Sequence, residues 1–386
     1  MKKVILFLLL LAIVLAAALH IRYGGGDTYP DLTSTPVLAA DQLEIAVAYR
    51  EPIGNIAVSP SGEIFFTVHP EARAQGNKLL HYVDGASVPW PNVQVQEDLF
   101  DTVLGVVIDQ QNRLWTIDHG NHGMRPPRLL AFDLDTGEVV HDRRFAEPLA
   151  PKGSFLQDLR VSADGRTVII ADTSILGKSP ALIVYNVDTS TARRVLQDHP
   201  SVSAEHYVIH NHGDAMKFGG GLVSLRGGVD GIAMNEEWLY FGALSGAGLY
   251  RIAVATLTDP DMGEGDLAAA VSRITDKPLS DGFSFDNNGN LFITDVEHGA
   301  VLRLNENEGL DTMLRSPKIR WADGIYFGPD NALYIADSAL KDVIFRSREQ
   351  IQGNGPYHIF RVPRHTNHGQ RIRAAISPTN RTDERD

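Results

Sequence analysis

Apolar and polar residues alternate in short bursts along this chain, and one pair of bursts recurs. Leu279–Glu297 reads LSDGFSFDNNGNLFITDVE. A first run places Phe283 and Phe285 on one face, and Asp286-Asn287-Asn288-Gly289 supplies residues that tolerate positive φ. A second run, Leu291-Phe292-Ile293-Thr294, returns and stops at Asp295. Period-two alternation broken by Asn-Gly chemistry predicts a β-hairpin. The pattern occurs six times, the others being NIAVSPSGEIFFTV (55–68), GVVIDQQNRLWTID (105–118), DLRVSADGRTVIIAD (158–172), GIAMNEEWLYFGAL (231–244) and GIYFGPDNALYIAD (324–337). From first apolar residue to closing position is 12 residues in five copies (56→68, 106→118, 232→244, 283→295, 325→337) and 13 in the third (159→172). Successive copies start 50, 53, 73, 51 and 42 residues apart. Short strands repeating at such periods predict an all-β chain, a six-bladed β-propeller.

Between copies lie further strand-like runs, KLLHYV (78–83), RLLAFDL (128–134), ALIVYNV (181–187), GLYRIA (248–253), AVLRL (300–304) and YHIFRV (357–362), which supply the outer half of each blade. One strand, LEIAVAY (43–49), stands ahead of the first hairpin. It is expected to pair in blade six, closing the ring and removing two sheet edges. The propeller then spans 43–363, with a Gly/Pro/Thr-rich linker at 23–42 and a polar, solvated tail at 364–386. Met1-Lys2-Lys3 followed by sixteen apolar residues, Val4–Leu19, reads as an export signal or N-terminal membrane anchor within 1–22. Even extended to Ile21, the run falls short of the ~20 residues of a comfortable span. The body is expected to be exported, secreted or periplasmic, with membrane contact only through that anchor.

Composition changes this picture little. The net charge of −13 argues against a nucleic-acid partner, and the absence of cysteine excludes disulfides and thiol chemistry. Gly219-Gly220-Gly221 lacks the Lys-Ser/Thr of a phosphate loop, and no Gly-x-Ser-x-Gly nucleophile motif occurs. The long third interval holds an insertion at about 197–228 with His206, His210 and His212. On a strand, His210 and His212 would face one side, as a Zn²⁺ or Cu²⁺ site requires; a surface hairpin is the simpler reading. His119 and His122 flank a Gly-rich loop after Asp118 and admit the same two readings.

The aspartates at repeat boundaries carry the most chemistry. Asp230, Asp281 and Asp323 precede first strands, and Asp118, Asp172, Asp295 and Asp337 end second strands. Hairpin geometry places all seven on one face, the first three around the channel mouth, where they would attract Ca²⁺ or an organic amine. The second four are expected to tie turns to backbone N–H groups.

The runs GNIAVSPSGEIFFTVHPE, YVDGASVPWPN, LWTIDHG, SFLQDLRVSADG, GVDGIAM, LSDGFSFDNNGNLFITD, WADGIYFGPDNALYIADS and PYHIFRVP, in order across 43–363, resemble bacterial members of the major royal jelly protein/yellow family. The resemblance implies an exported propeller with a small-molecule pocket at one channel end. It also implies kinship to proteins that bind biogenic amines or are linked to dopachrome conversion. A wider likeness to gluconolactonases implies a divalent metal, Ca²⁺ or Zn²⁺, held by Glu, Asn and Asp. Gly54 stands at the Glu position, Gln157 or Asp158 near the Asn position, and Asp230 and Asp281 at the Asp positions. The ligand candidates are Asn55, Asp118, Asp158, Asp230, Asp281 and Asp323. A proton shuttle would fall to His119 and Asp281. The expected reading is a binder of a small cationic or aromatic ligand, with a tautomerase-like activity of the dopachrome kind as its catalytic form. The rivals are a metal-dependent lactonase and a non-catalytic extracellular scaffold.

Overall fold

The structure is a computed structural model describing residues 1–363; the tail expected at 364–386 lies outside the described residues. Six four-stranded antiparallel sheets take up the repeats. Blade one runs outward through Ile53–Val58, Ile64–Val68, Leu79–Val83 and Ala86–Pro89. Blades two to five start from inner strands Val103–Ile108, Leu156–Val161, Val229–Met234 and Phe283–Phe285. Blade six comprises Ala322–Phe327, Leu333–Asp337 and Tyr357–Val362, completed on its outer side by Glu44–Tyr49. That strand pairs from Glu44 opposite Arg361 to Tyr49 opposite Tyr357, the closure expected of it. The inner strands touch in cyclic order, blade six returning to blade one.

The core consists of six wedges, one between each pair of neighbouring blades. Between blades two and three, Trp115 and Ile117 meet Leu156, Ile170 and Tyr185. Between blades six and one, Val47 of the closing strand joins Tyr357 and Ile359 against Ile53 and Phe66. Second strands such as Thr167–Asp172 are covered on both sides by neighbouring blades. Their residues from Val168 onward are accordingly all buried, and the sequence there is an unbroken apolar run.

The inner hairpins share one irregularity that makes the channel. In five of them the register slips just before the first regular pair, between Ile53 and Ile56, Val103 and Gly105, Leu156 and Asp158, Val229 and Ile232, and Ala322 and Ile325. A bulge re-aims the side chains beside it. Two positions ahead of the first apolar residue stand Gly54, Leu104, Gln157, Asp230, Asp281 and Asp323, and one position ahead stand Asn55, Gly105, Asp158, Gly231, Gly282 and Gly324. The glycines are demanded by close packing. A Cβ at Gly282 would lie 2.2 Å from the Asp323 carbonyl oxygen, and one at Gly231 2.6 Å from that of Asp281. The Asp-Gly pair is therefore one device, with Asp entering the channel and Gly admitting the next blade.

A seventh apolar cluster caps one end of the ring, with Ile209, Met216 and Leu225 of the insertion covering Leu244, Leu279, Trp321 and Leu340. Tyr29 joins it, and the segment read as a linker is docked. Val37 and Leu38 N–H groups donate to the Thr312 and Met313 carbonyls of blade five, at 2.9 and 2.8 Å. Its buried Tyr29 and half-buried Leu38 explain the difference, since both fill apolar clusters. Ahead of it, Lys2–Tyr23 is a single helix of 22 residues. At 1.5 Å per residue it is long enough to cross a bilayer, because His20–Tyr23 continue the helix past the apolar run.

Candidate functional site

Asp158, Asp230, Asp281 and Asp323 are all nearly fully buried. Asp281 accepts from Trp321 Nε1–H at 2.7 Å and from Gln157 Nε2–H at 3.2 Å, and its backbone N–H donates to Thr294 Oγ1 at 3.1 Å. Asp158 Oδ1 accepts from Arg160 Nη1 at 2.7 Å and from the Leu159 N–H at 2.9 Å. Arg160 Nη2 reaches the Phe283 carbonyl at 2.7 Å, so this side chain closes the channel neck. Within the neck a cavity of about 10 Å³, roughly one water in size, is bounded by Asn55, Gln157, Asp158, Asp281 and Asp323. Asp230 differs from its neighbours: its Oδ1 has no hydrogen-bond partner among the described residues.

Above the carboxylates opens a pocket of about 240 Å³. Asp230, Asp281 and Gln157 line it together with His69, Glu71 and His122, and Phe155, Phe218, Leu225, Leu244, Leu340 and Ile344 supply apolar wall. His122 Nε2 lies 2.8 Å from Glu71 Oε1. His69 Nδ1 accepts from the Glu71 N–H at 3.2 Å, which leaves Nε2–H facing Asp323 Oδ2 at 3.5 Å. His119 is not in the wall. It is buried behind Phe155 and His122, with ring centroids 4.4 and 5.1 Å away. Its Nδ1 accepts from the His122 N–H at 2.9 Å, and its Nε2 has no partner among the described residues. Glu71 and His122, unlike His119, line the pocket directly.

Burial dominates the electrostatics. It pushes Asp230 well above the carboxylate range, with Asp281, Asp323 and Asp158 adding repulsion. Asp323 rises well above it for the same two reasons. Asp281 rises to about 6 through burial, opposed by the Trp321 hydrogen bond. Burial lowers His69 to about 4, so the 3.5 Å contact with Asp323 is that of a neutral imidazole rather than an ion pair. Lys277 stands wholly buried behind Asp230, brought down to about 7 by burial, and donates to the Ala243 and Pro278 carbonyls. A deep group of carboxyls with one idle oxygen is suited to receiving a cation.

The other candidates fall elsewhere. Asp118 does not line the pocket; its oxygens accept from the Asp101, Thr102 and Gly120 N–H groups and the Thr102 hydroxyl. Asp172, Asp295 and Asp337 tie backbone in the same manner. His210 and His212 are not on one strand, because the chain turns at His212 with φ 48°. Their rings face the Val208 and Ile319 carbonyls at 3.0 Å and border a separate pocket with Glu297 and His298. His206 faces Arg226 instead. Asp230 and Asp281, the expected ligands of a divalent cation, both line the pocket, though without a full set of free partners. Both Asp281 oxygens already accept N–H bonds, Gly54 offers no ligand, and among the described residues the one close trio of ligand atoms is Asp31, Asp295 and His298, outside the channel. Glu71, His122, Phe155 and Trp321 carry no spacing signal, since loops deliver the first three and the fourth acts through Asp281.

Solved structures share the fold. A luciferin-regenerating enzyme superposes with TM-score 0.54 at 11% identity, over 83% of this chain and 94% of its own. A candidate gluconolactonase gives 0.53 at 13%, over 88% and 97%. Regucalcin from Agrobacterium tumefaciens, a calcium-binding protein, gives 0.52 at 14%, over 82% and 93%. No curated protein matches the chain. The profile of the major royal jelly protein family matches residues 101–315, more than half of the chain and four of its six inner strands. By that match this six-bladed propeller belongs to the major royal jelly protein family.

Proposed function

We propose that the protein is an exported propeller that binds a small organic cation with an aromatic or apolar body. The cationic nitrogen sits at Asp230, and the body lies between Phe155, Leu225, Leu244 and Ile344. The observation that carries this reading is the unpartnered, buried Asp230 Oδ1 at the floor of an apolar-walled pocket. A buried polar atom left without a partner costs ~1–3 kcal/mol, and an ammonium N–H would remove that cost. Family membership supports a ligand-binding role, and the apolar N-terminal helix supports export. A tautomerase step of the kind linked to yellow-type relatives would draw on Glu71 and His122, which line the same pocket.

Calorimetric titration with phenethylamine and with 2-phenylethanol, its neutral counterpart of equal size, tests the reading. The amine is expected to bind at least tenfold more tightly, a difference of ~1.4 kcal/mol. Asp230→Asn is expected to erase that preference while leaving the alcohol's affinity unchanged. Equal affinities for the two probes in the unaltered protein would overturn the reading.

A further inference from the structure

The apolar helix Lys2–Tyr23 is not attached at random. Its last turn sits on the rim of the ligand pocket. His20 Nδ1 lies 3.1 Å from the Gly221 carbonyl, Arg22 Nη2 donates to the Gly177 carbonyl at 3.0 Å, and the Tyr23 hydroxyl donates to the Leu176 carbonyl at 2.9 Å. Tyr23 itself lines the ligand pocket. Leu19 borders an adjoining apolar cleft of about 670 Å³ with Met216, Phe218, Leu222, Ile344 and Phe345. The rest of the helix projects away: nearly every residue before Leu19 is exposed, and none is buried.

The rim around this attachment has the composition of a membrane interface. Phe345 is 78% exposed and Leu176 42%, and both border the pocket mouth. Phe345 keeps a left-handed backbone, φ 57°, and stands edge-on to Phe218 at 4.9 Å. An exposed bulky residue in that conformation needs a reason. Cations gather at the rim although the chain carries −13: Arg22, Lys178, Lys217, Arg226 and Arg346, with Lys341 paired to Asp214. Tyr and Arg at the end of an apolar helix, beside exposed Phe and Leu, are what the headgroup layer selects.

We propose that the pocket-bearing face docks on an anionic bilayer, the one that Lys2–Tyr23 crosses. Phe345 and Leu176 enter the acyl boundary, and the rim cations meet anionic headgroups. A helix that merely tethers needs no such face. The geometry joins its last turn to the rim of the pocket rather than to the opposite end of the ring, where Asn287, Phe327 and Ile108 lie. Ligand therefore enters from the membrane interface, where amphipathic molecules concentrate.

Because the chain has no cysteine, single spin labels on the full protein test this. The protein is placed in nanodiscs of phosphatidylcholine with phosphatidylglycerol, labelled at Phe345→Cys or, at the opposite end, Asn287→Cys. A third label at Leu176→Cys reports on the same rim should the first variant fold poorly. The rim labels are expected to collide severalfold more with oxygen than with a water-soluble nickel chelate, and the Asn287 label to show the reverse. Replacing the anionic lipid by phosphatidylcholine is expected to reduce the rim labels' immersion. Rim labels as accessible to the chelate as the Asn287 label would overturn the proposal. So would rim labels shielded from both reagents, the mark of a protein partner on this face, and so would immersion indifferent to lipid charge.

Discussion

Asp230 is costly to the fold, and the proposed site turns on it. Its carboxyl titrates higher in the folded protein than in the unfolded chain because burial and three neighbouring aspartates disfavour the charge. The folded state then holds a proton that the unfolded state has released, so this group's contribution to stability falls as pH rises above 3.8. Asp230→Asn carries no such loss and leaves the already unpartnered oxygen no worse off. It is expected to match the unaltered protein near pH 4 and to melt higher at pH 7, each unit of pKa elevation being worth ~1.4 kcal/mol. His69, lowered to about 4, acts in the opposite sense between 4 and 6.5 but equally in both proteins, so the difference isolates Asp230. A second consequence concerns binding. Asp281 ionises near 6 and Asp230 is raised well above the carboxylate range, and only ionised carboxylates attract a cation, so phenethylamine affinity is expected to rise from pH 5 through pH 7.5. Calorimetry across that range checks the sign; affinity falling with pH would contradict it. At this scale the sequence was readable where a repeat repeats. The Asp-Gly pairs mark Asp230, Asp281 and Asp323 because blade packing demands the glycine. Asp118 shares a boundary position but spends its oxygens on loop backbone. His69, Glu71 and Phe155 come from irregular loops, where no period aims them.

Among the elements, hairpins and the closing strand were legible because each is a local pattern with turn chemistry. The docked segment 27–38 was not: its Pro, Ser and Thr resemble a linker, and only the scattered apolar residues Tyr29, Leu32 and Leu38 betray its packing. The bulges were hidden as well, since they lie ahead of the first apolar residue of each hairpin, outside the repeated spacing. Truncation separates these roles. Removal of residues 1–23 is expected to leave the melting temperature within a few degrees. Removal of 1–42 takes away buried Tyr29 and half-buried Leu38, the first worth about 1.5–3 kcal/mol of buried apolar surface and the second roughly half that, and is expected to lower it clearly. Removal of 1–49 strips Val47 from the wedge between blades six and one and opens the ring, so cooperative unfolding should be lost. Equal melting curves for the last two would refute the closing role of Glu44–Tyr49.

For the molecule as a whole, repetition announced the propeller, while the cap did not announce itself. Six wedges of similar composition follow from a near-constant period, but the insertion at 197–228 and the N-terminal segment meet only in space. They make the floor of a polar channel into the floor of an apolar pocket. Whether this pocket receives a cation at Asp230 is decided by a crystal structure of the protein soaked with phenethylamine. The amine nitrogen is expected within ~3 Å of Asp230 Oδ1, with the ring against Phe155 and Leu244. An amine lodged instead beside Glu297 and His298, with Asp230 untouched, would contradict it.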